Sequence, residues 1–126
     1  MRILFAAAFA LGLAQPANAQ EMTGSEFHSL CEQDASAVKE ICGFYVLGVV
    51  SGLYYGASHG IAYATETQAT ADMVKRSVDV CMPKGTKMHQ IRLVIQKYME
   101  ERPEEHHLPA FRLIKEGMSD AFPCEG

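Results

Sequence analysis

The chain has 126 residues, with 15 acidic and 11 basic side chains and a formal net charge of -4. That length makes one ordinary domain and excludes a multidomain machine, while a net acidic chain without a basic block argues against a nucleic-acid partner. With 48% hydrophobic and 21% charged residues, the chain carries too much apolar surface for intrinsic disorder.

The N-terminus reads as an export signal. Met1-Arg2 gives a positive start, and Ile3 to Ala14 is an apolar run of twelve residues. Pro16 breaks the run, and Ala17-Asn18-Ala19 offers the small-x-small pattern of a signal-peptidase site. Residues 1–19 are therefore expected to be a cleaved Sec-type signal peptide, too short to span a bilayer comfortably. Residues 20–126 would be a single domain released into the periplasm. In that oxidising compartment Cys31, Cys42, Cys81 and Cys124 read as two disulfides. The Cys-x2-Cys spacing of a zinc or redox site is absent.

Helical signals dominate the rest. Thr23 or Ser25 can cap a short first helix with Phe27, Leu30 and Cys31 on one side. Ser36 can cap a second helix expected to run to about Gly60. Between Ile41 and Thr65 there is no formal charge, and Phe44 to Val50 is apolar on every face. Such a helix is central in a bundle or lies in a membrane. Gly48, Gly52, Gly56 and Gly60 form a stripe at every fourth residue, a pattern that lets backbones approach closely and also occurs in membrane helices. Ser51, Tyr54, Tyr55, Ser58 and His59 are too polar for lipid, so a core helix is expected and a membrane span is not.

A third helix is expected over about Thr67 to Val80, with Ala71, Val74 and Val78 inward. Cys81-Met82-Pro83-Lys84-Gly85 is a stop and turn. Thr86 can cap a fourth helix, whose Met88, Ile91, Val94, Ile95, Tyr98 and Met99 follow the helical period until Pro103 ends it. Pro109 suits the first turn of a fifth, with Phe111, Ile114, Met118 and Phe122 on one face. The fold class expected is all-α: a small disulfide-bonded bundle of about five helices.

Four cysteines allow three pairings, and their spacing alone does not choose among them. The short linker after Pro103 favours antiparallel packing of the last two helices. That would bring Cys81 beside Cys124 and leave Cys31 to join Cys42.

Catalytic patterns are missing. There is no Gly-x-Ser-x-Gly, His-Glu-x-x-His or P-loop motif, and bridged cysteines supply no nucleophile. The chain is read as no enzyme and as needing no cofactor. The one concentrated polar cluster is Glu104, Glu105, His106 and His107. Imidazoles and carboxylates there could hold zinc or copper, but a solvated helix-helix corner is the simpler reading, and no metal site is assigned. His28, His59 and His89 are single histidines on helices. Met88, Met99 and Met118 sit at core spacing.

Taken in order, several segments resemble one family. They are Leu30-Cys31, Cys42-Gly43-Phe44-Tyr45-Val46-Leu47-Gly48, Cys81-Met82-Pro83-Lys84-Gly85, Tyr98-Met99-Glu100-Glu101-Arg102-Pro103, Leu108-Pro109-Ala110 and the closing Ala121-Phe122-Pro123-Cys124. This pattern is similar to the Rap/Tai family of small periplasmic immunity proteins, over nearly all of the mature chain. The resemblance implies a helical, disulfide-bonded inhibitor that occludes a peptidoglycan amidase toxin delivered by type VI secretion. It also implies a homodimer. It carries over no toxin-contacting positions, so Glu104, Glu105, His106 and His107 stand as the contact surface expected from exposure alone. The alternative is a general periplasmic structural or stress protein, a holdase-like helical chain without a toxin partner.

Overall fold

The computed structural model describes residues 20–125. The segment expected to be a signal peptide, 1–19, lies outside the described residues. Five α-helices follow one another among them: α1 (Gly24–Glu32), α2 (Ser36–Thr65), α3 (Ala71–Val78), α4 (Met88–Glu100) and α5 (Ala110–Ala121). A 3-10 turn at Pro103–Glu105 links the last two, and the only strand-like feature among the described residues is a single bridge between Thr23 and Pro109.

Local chemistry explains most helix ends. Thr23 caps α1 through a capping box. Its hydroxyl accepts from the Glu26 amide at 3.3 Å, while the Glu26 carboxylate accepts from the Thr23 amide at 2.8 Å and the Thr23 hydroxyl at 2.9 Å. Thr70 caps α3 with a single bond, its hydroxyl accepting from the Met73 amide. Two expected caps differ. Ser36 is the first helical residue of α2, whose cap position is Ala35 without a side-chain bond. Thr86 precedes the cap of α4, Lys87, and donates instead to the Pro83 carbonyl at 2.8 Å. That bond holds a tight turn in which Gly85 takes a φ of 87°, a conformation glycine adopts without steric cost.

The core is one cluster. Phe27 and Cys31 from α1, Cys42, Val46 and Val50 from α2, Ile91, Ile95 and Met99 from α4, and Leu113, Ile114 and Met118 from α5 are all buried. On α5 the inward face is Ala110, Leu113, Ile114, Gly117 and Met118, whereas Phe111, expected inside, is exposed. α4 and α5 pack antiparallel, and Gly117 makes this close: a Cβ there would lie 3.0 Å from Cγ of Tyr98. Gly24 is equally confined, since its Cβ would meet the Leu113 side chain and the His106 carbonyl, the latter at 3.0 Å.

The four cysteines form two bridges. Cys31–Cys42 joins the end of α1 to the start of α2 with a Cα separation of 5.3 Å. Cys81–Cys124 joins the approach to α4 to the chain after α5 with a Cα separation of 4.9 Å. Beside it the Cys81 amide donates to the Phe122 carbonyl at 2.8 Å. The entry to α1 is stitched to the corner before α5: Gly24 donates to Leu108 at 2.8 Å, Ser25 to His106 at 2.9 Å, and Ala110 to Met22 at 2.8 Å.

α2 departs most from expectation. It runs 30 residues to Thr65, beyond Gly60, and ends on Glu66 in the left-handed conformation. It is also not central. Only the Cys42, Val46 and Val50 edge is buried, flanked by half-buried Tyr45, Val49, Leu53, Tyr54 and Ala57. Its far side is open. Tyr54 fastens its middle by donating to the Val80 carbonyl at 2.9 Å.

Loop closure makes the two bridges unequal. Cys81→Ser with Cys124→Ser, which opens a separation of 43 residues, is expected to cost about 4 kcal/mol in denaturant unfolding, and Cys31→Ser with Cys42→Ser, a separation of 11, about 3 kcal/mol. The capping box carries a pH signature. Hydrogen bonds from Thr23 hold the Glu26 carboxyl below its ordinary pKa of 4.5. Its contribution is therefore complete above that value and lost as pH falls through the lowered folded value. Amide exchange at Thr23 and Glu26 should accelerate across that acid window in the native chain, relative to the trend of other amides, and show no such step in Glu26→Ala.

Candidate interaction surfaces

The corner around the 3-10 turn is built from Arg102 to Pro109. Its four expected contact residues divide into two kinds. Glu104 and His107 are exposed, and the ring of His107 donates through Nδ1 to the Glu104 carbonyl at 2.9 Å. Glu105 and His106 are half-buried. His106 donates through Nε2 to the Met99 carbonyl at 2.9 Å and packs its ring on that of His28, centroids 5.0 Å apart. One carboxylate oxygen of Glu105 is buried without a bonding partner among the described residues. His106 thus holds the corner together, Glu105 is half-buried beside it, and Glu104 and His107 face outward.

Tyr98 lies beneath that corner. The guanidinium of Arg102 sits 4.0 Å over its ring, a cation–π contact. Burial, followed by the nearby Glu105 carboxylate, pushes the Tyr98 hydroxyl above the ordinary phenol range. Arg112 is held in an ion pair with Glu116 at 2.9 Å. No group of three or more His, Cys, Asp or Glu side chains among the described residues has the placement to hold a metal ion.

The larger surface is the open side of α2, which periodicity concealed. Two adjacent rows run along it. One is Phe44, Gly48, Gly52, Gly56 and Gly60; the other is Leu47, Ser51, Tyr55, His59 and Tyr63. Phe44 is 68% exposed, Tyr55 70% and Tyr63 91%. A Cβ at any of the four glycines would meet nothing within 4 Å. The stripe is therefore not used for packing within the chain. The same helix is long and apolar enough to cross a membrane by length and composition, with a mean hydropathy of 1.4 over its best window. Contiguous apolar exposure of this kind marks an interaction site more often than an accident of packing.

Hollows elsewhere are open and shallow. One of about 470 Å³ lies against the Cys81–Cys124 bridge, lined by Pro83, Phe122 and Pro123. Another, of about 210 Å³, lies between α4 and α5 beside Tyr98, Glu101 and Asp120. A third, of about 230 Å³, lies where α2 and α4 begin. Since all four cysteines are bridged, none of these hollows offers a thiol nucleophile.

A family model described as Rap1a immunity proteins matches residues 23–124, from the cap of α1 to the last cysteine. No curated protein and no solved structure matches the chain.

Glycines in the two environments should respond oppositely to a methyl group. Gly52→Ala meets open space and gains helix propensity, so it is expected to stabilise the isolated chain by up to about 1 kcal/mol. Gly117→Ala forces the Tyr98 ring aside and is expected to cost about 1–3 kcal/mol. Thermal unfolding at low protein concentration distinguishes the two.

Proposed function

The chain belongs to the Rap1a immunity protein family, and on that premise we propose that it is a periplasmic, non-enzymatic antitoxin that binds a peptidoglycan amidase delivered by type VI secretion and blocks its cleft. The observation that carries this reading is the extent of the family match, which takes in every helix and both bridges. Export would remove residues 1–19 and leave a domain beginning at Gln20. Oxidation after export would then close the bridges.

Occlusion needs rigidity rather than reactive groups. A surface already held in its bound shape loses little conformational freedom on association, and the affinity rises accordingly. Two bridges and a corner tied by hydrogen bonds supply that rigidity here. In this reading Glu104 and His107 reach the toxin from the corner, while His106 keeps the corner in shape.

The open side of α2 supports a homodimer. A two-fold contact presents the same patch from both subunits, and a patch without charge meets its own copy without repulsion. Between Ile41 and Thr65 no side chain carries formal charge, and the open glycine row admits a second helix at short range. The same exposed apolar face is what a holdase would present, and the number of partners separates the two readings. An inhibitor binds one enzyme tightly; a holdase binds many unfolded chains weakly.

The test joins the purified protein to the amidase of the secretion system that it would counter. One equivalent of inhibitor per amidase is expected to abolish peptidoglycan hydrolysis, and periplasmic production is expected to protect cells making that amidase. Hydrolysis undiminished by an excess of the protein overturns the proposal. Light scattering in parallel should give the mass of two chains, reduced to one by Gly52→Leu, which puts a bulky side chain on the glycine row.

A further inference from the structure

We propose that the hollow between the beginnings of α2 and α4 is a docking site for an acidic side chain of a protein partner. It rests on the immunity reading for the identity of that partner, the toxin. The hollow is lined by Lys39, Glu40, Gly43, Met88, His89 and Arg92. In a chain of net charge -4 it gathers two cations and an imidazole.

Arg92 is the central group. It is half-buried, yet it makes no ion pair with any carboxylate among the described residues. Its one polar contact is a long one, from Nη2 to Nδ1 of His89 at 3.4 Å, with the guanidinium as donor. Nε is closed off from solvent, so an incoming group meets the Nη edge. A partly desolvated guanidinium is best matched by a carboxylate, which takes two parallel hydrogen bonds from its planar fork. The other cation, Lys39, is engaged only by exposed Asp34 at 3.4 Å, the kind of surface pair that is worth little and exchanges readily. Glu40 stands exposed at the rim and pairs with neither.

The backbone adds to the positive field. α4 begins without a side-chain cap and without an acidic residue in its first turn, so no side chain of its own offsets the positive end of the helix. Gly43 leaves the opposite wall without a side chain, and a Cβ there would touch nothing. The surroundings favour a protein carboxylate over a small free anion. Leu47, one helical turn beyond Gly43, is 44% exposed, and Leu93, one turn beyond His89, is 49% exposed. An acidic residue between apolar neighbours satisfies both the fork and the flanking leucines.

Nuclear magnetic resonance titration of the purified protein with the capped peptide Leu-Asp-Leu tests this. The Arg92 side-chain and His89 signals are expected to shift with the peptide and to stay in place with Leu-Asn-Leu at equal concentration. Arg92→Gln is expected to weaken binding at least tenfold, and Arg92→Lys, which keeps the charge without the fork, to fall between the two. Equal shifts with the asparagine peptide, or equal binding of acetate, overturn the proposal. So do signals that still move on dilution in Gly52→Leu, where the α2 contact is broken, because a second copy would then fill the hollow. A failed amidase assay with the two peptides still distinguished removes the toxin as the partner and leaves the site. Inhibition of the amidase without that distinction removes the site alone.

Discussion

The bridge between Cys31 and Cys42 lies wholly inside the core, and the position of α2 depends on it. Both cysteines are buried in the same cluster as Phe27, Val46 and the inward residues of α4 and α5, so the bond serves as a packing element as well as a tether. It holds the first turns of α2 against α1 across a connection of a few residues. From that fixed point α2 runs on past the other helices. A chain of this size has a small core, and covalent closure offsets much of the entropy that such a core cannot.

Length explains why so much of α2 stays outside. Its 30 residues extend about 45 Å, while the other helices have 8 to 13 residues. Short helices cannot wrap a rod of that length. They cover its Cys42–Val50 edge, α3 covers part of the later turns, and Tyr54 pins the middle to Val80. The remaining apolar side is left to whatever lies beyond the chain.

Much of the fold was legible where the hydrophobic period was clean. On α4, Ile91, Ile95, Tyr98 and Met99 follow the expected stripe and are buried. On α1 the buried Phe27 and Cys31 were equally plain, while the sequence offers both Thr23 and Ser25 as the cap and the structure uses Thr23. α2 was legible as a helix, but not in its burial. When every face is apolar, the pattern holds no information about which face meets protein. The caps at Ser36 and Thr86 were misplaced because hydroxyl residues serve turns as readily as helix starts, as the Thr86–Pro83 bond shows. The polar corner was read as uniform surface, since adjacent charges and imidazoles look alike in one dimension. Only the Met99 carbonyl and the His28 ring distinguish His106 from His107. In one dimension Arg92 is a single cation on an amphipathic helix, with nothing to mark it.

The stitching of Met22, Gly24 and Ser25 onto the corner before α5 has a practical consequence for how the amino end meets a peptidase. Exopeptidase trimming from the amino end stops at Met22, where the backbone is already engaged. Beyond that point each further residue removed would unpick the cap of α1. A ragged start ahead of Met22 leaves those bonds intact, and the arrest is set by folded backbone.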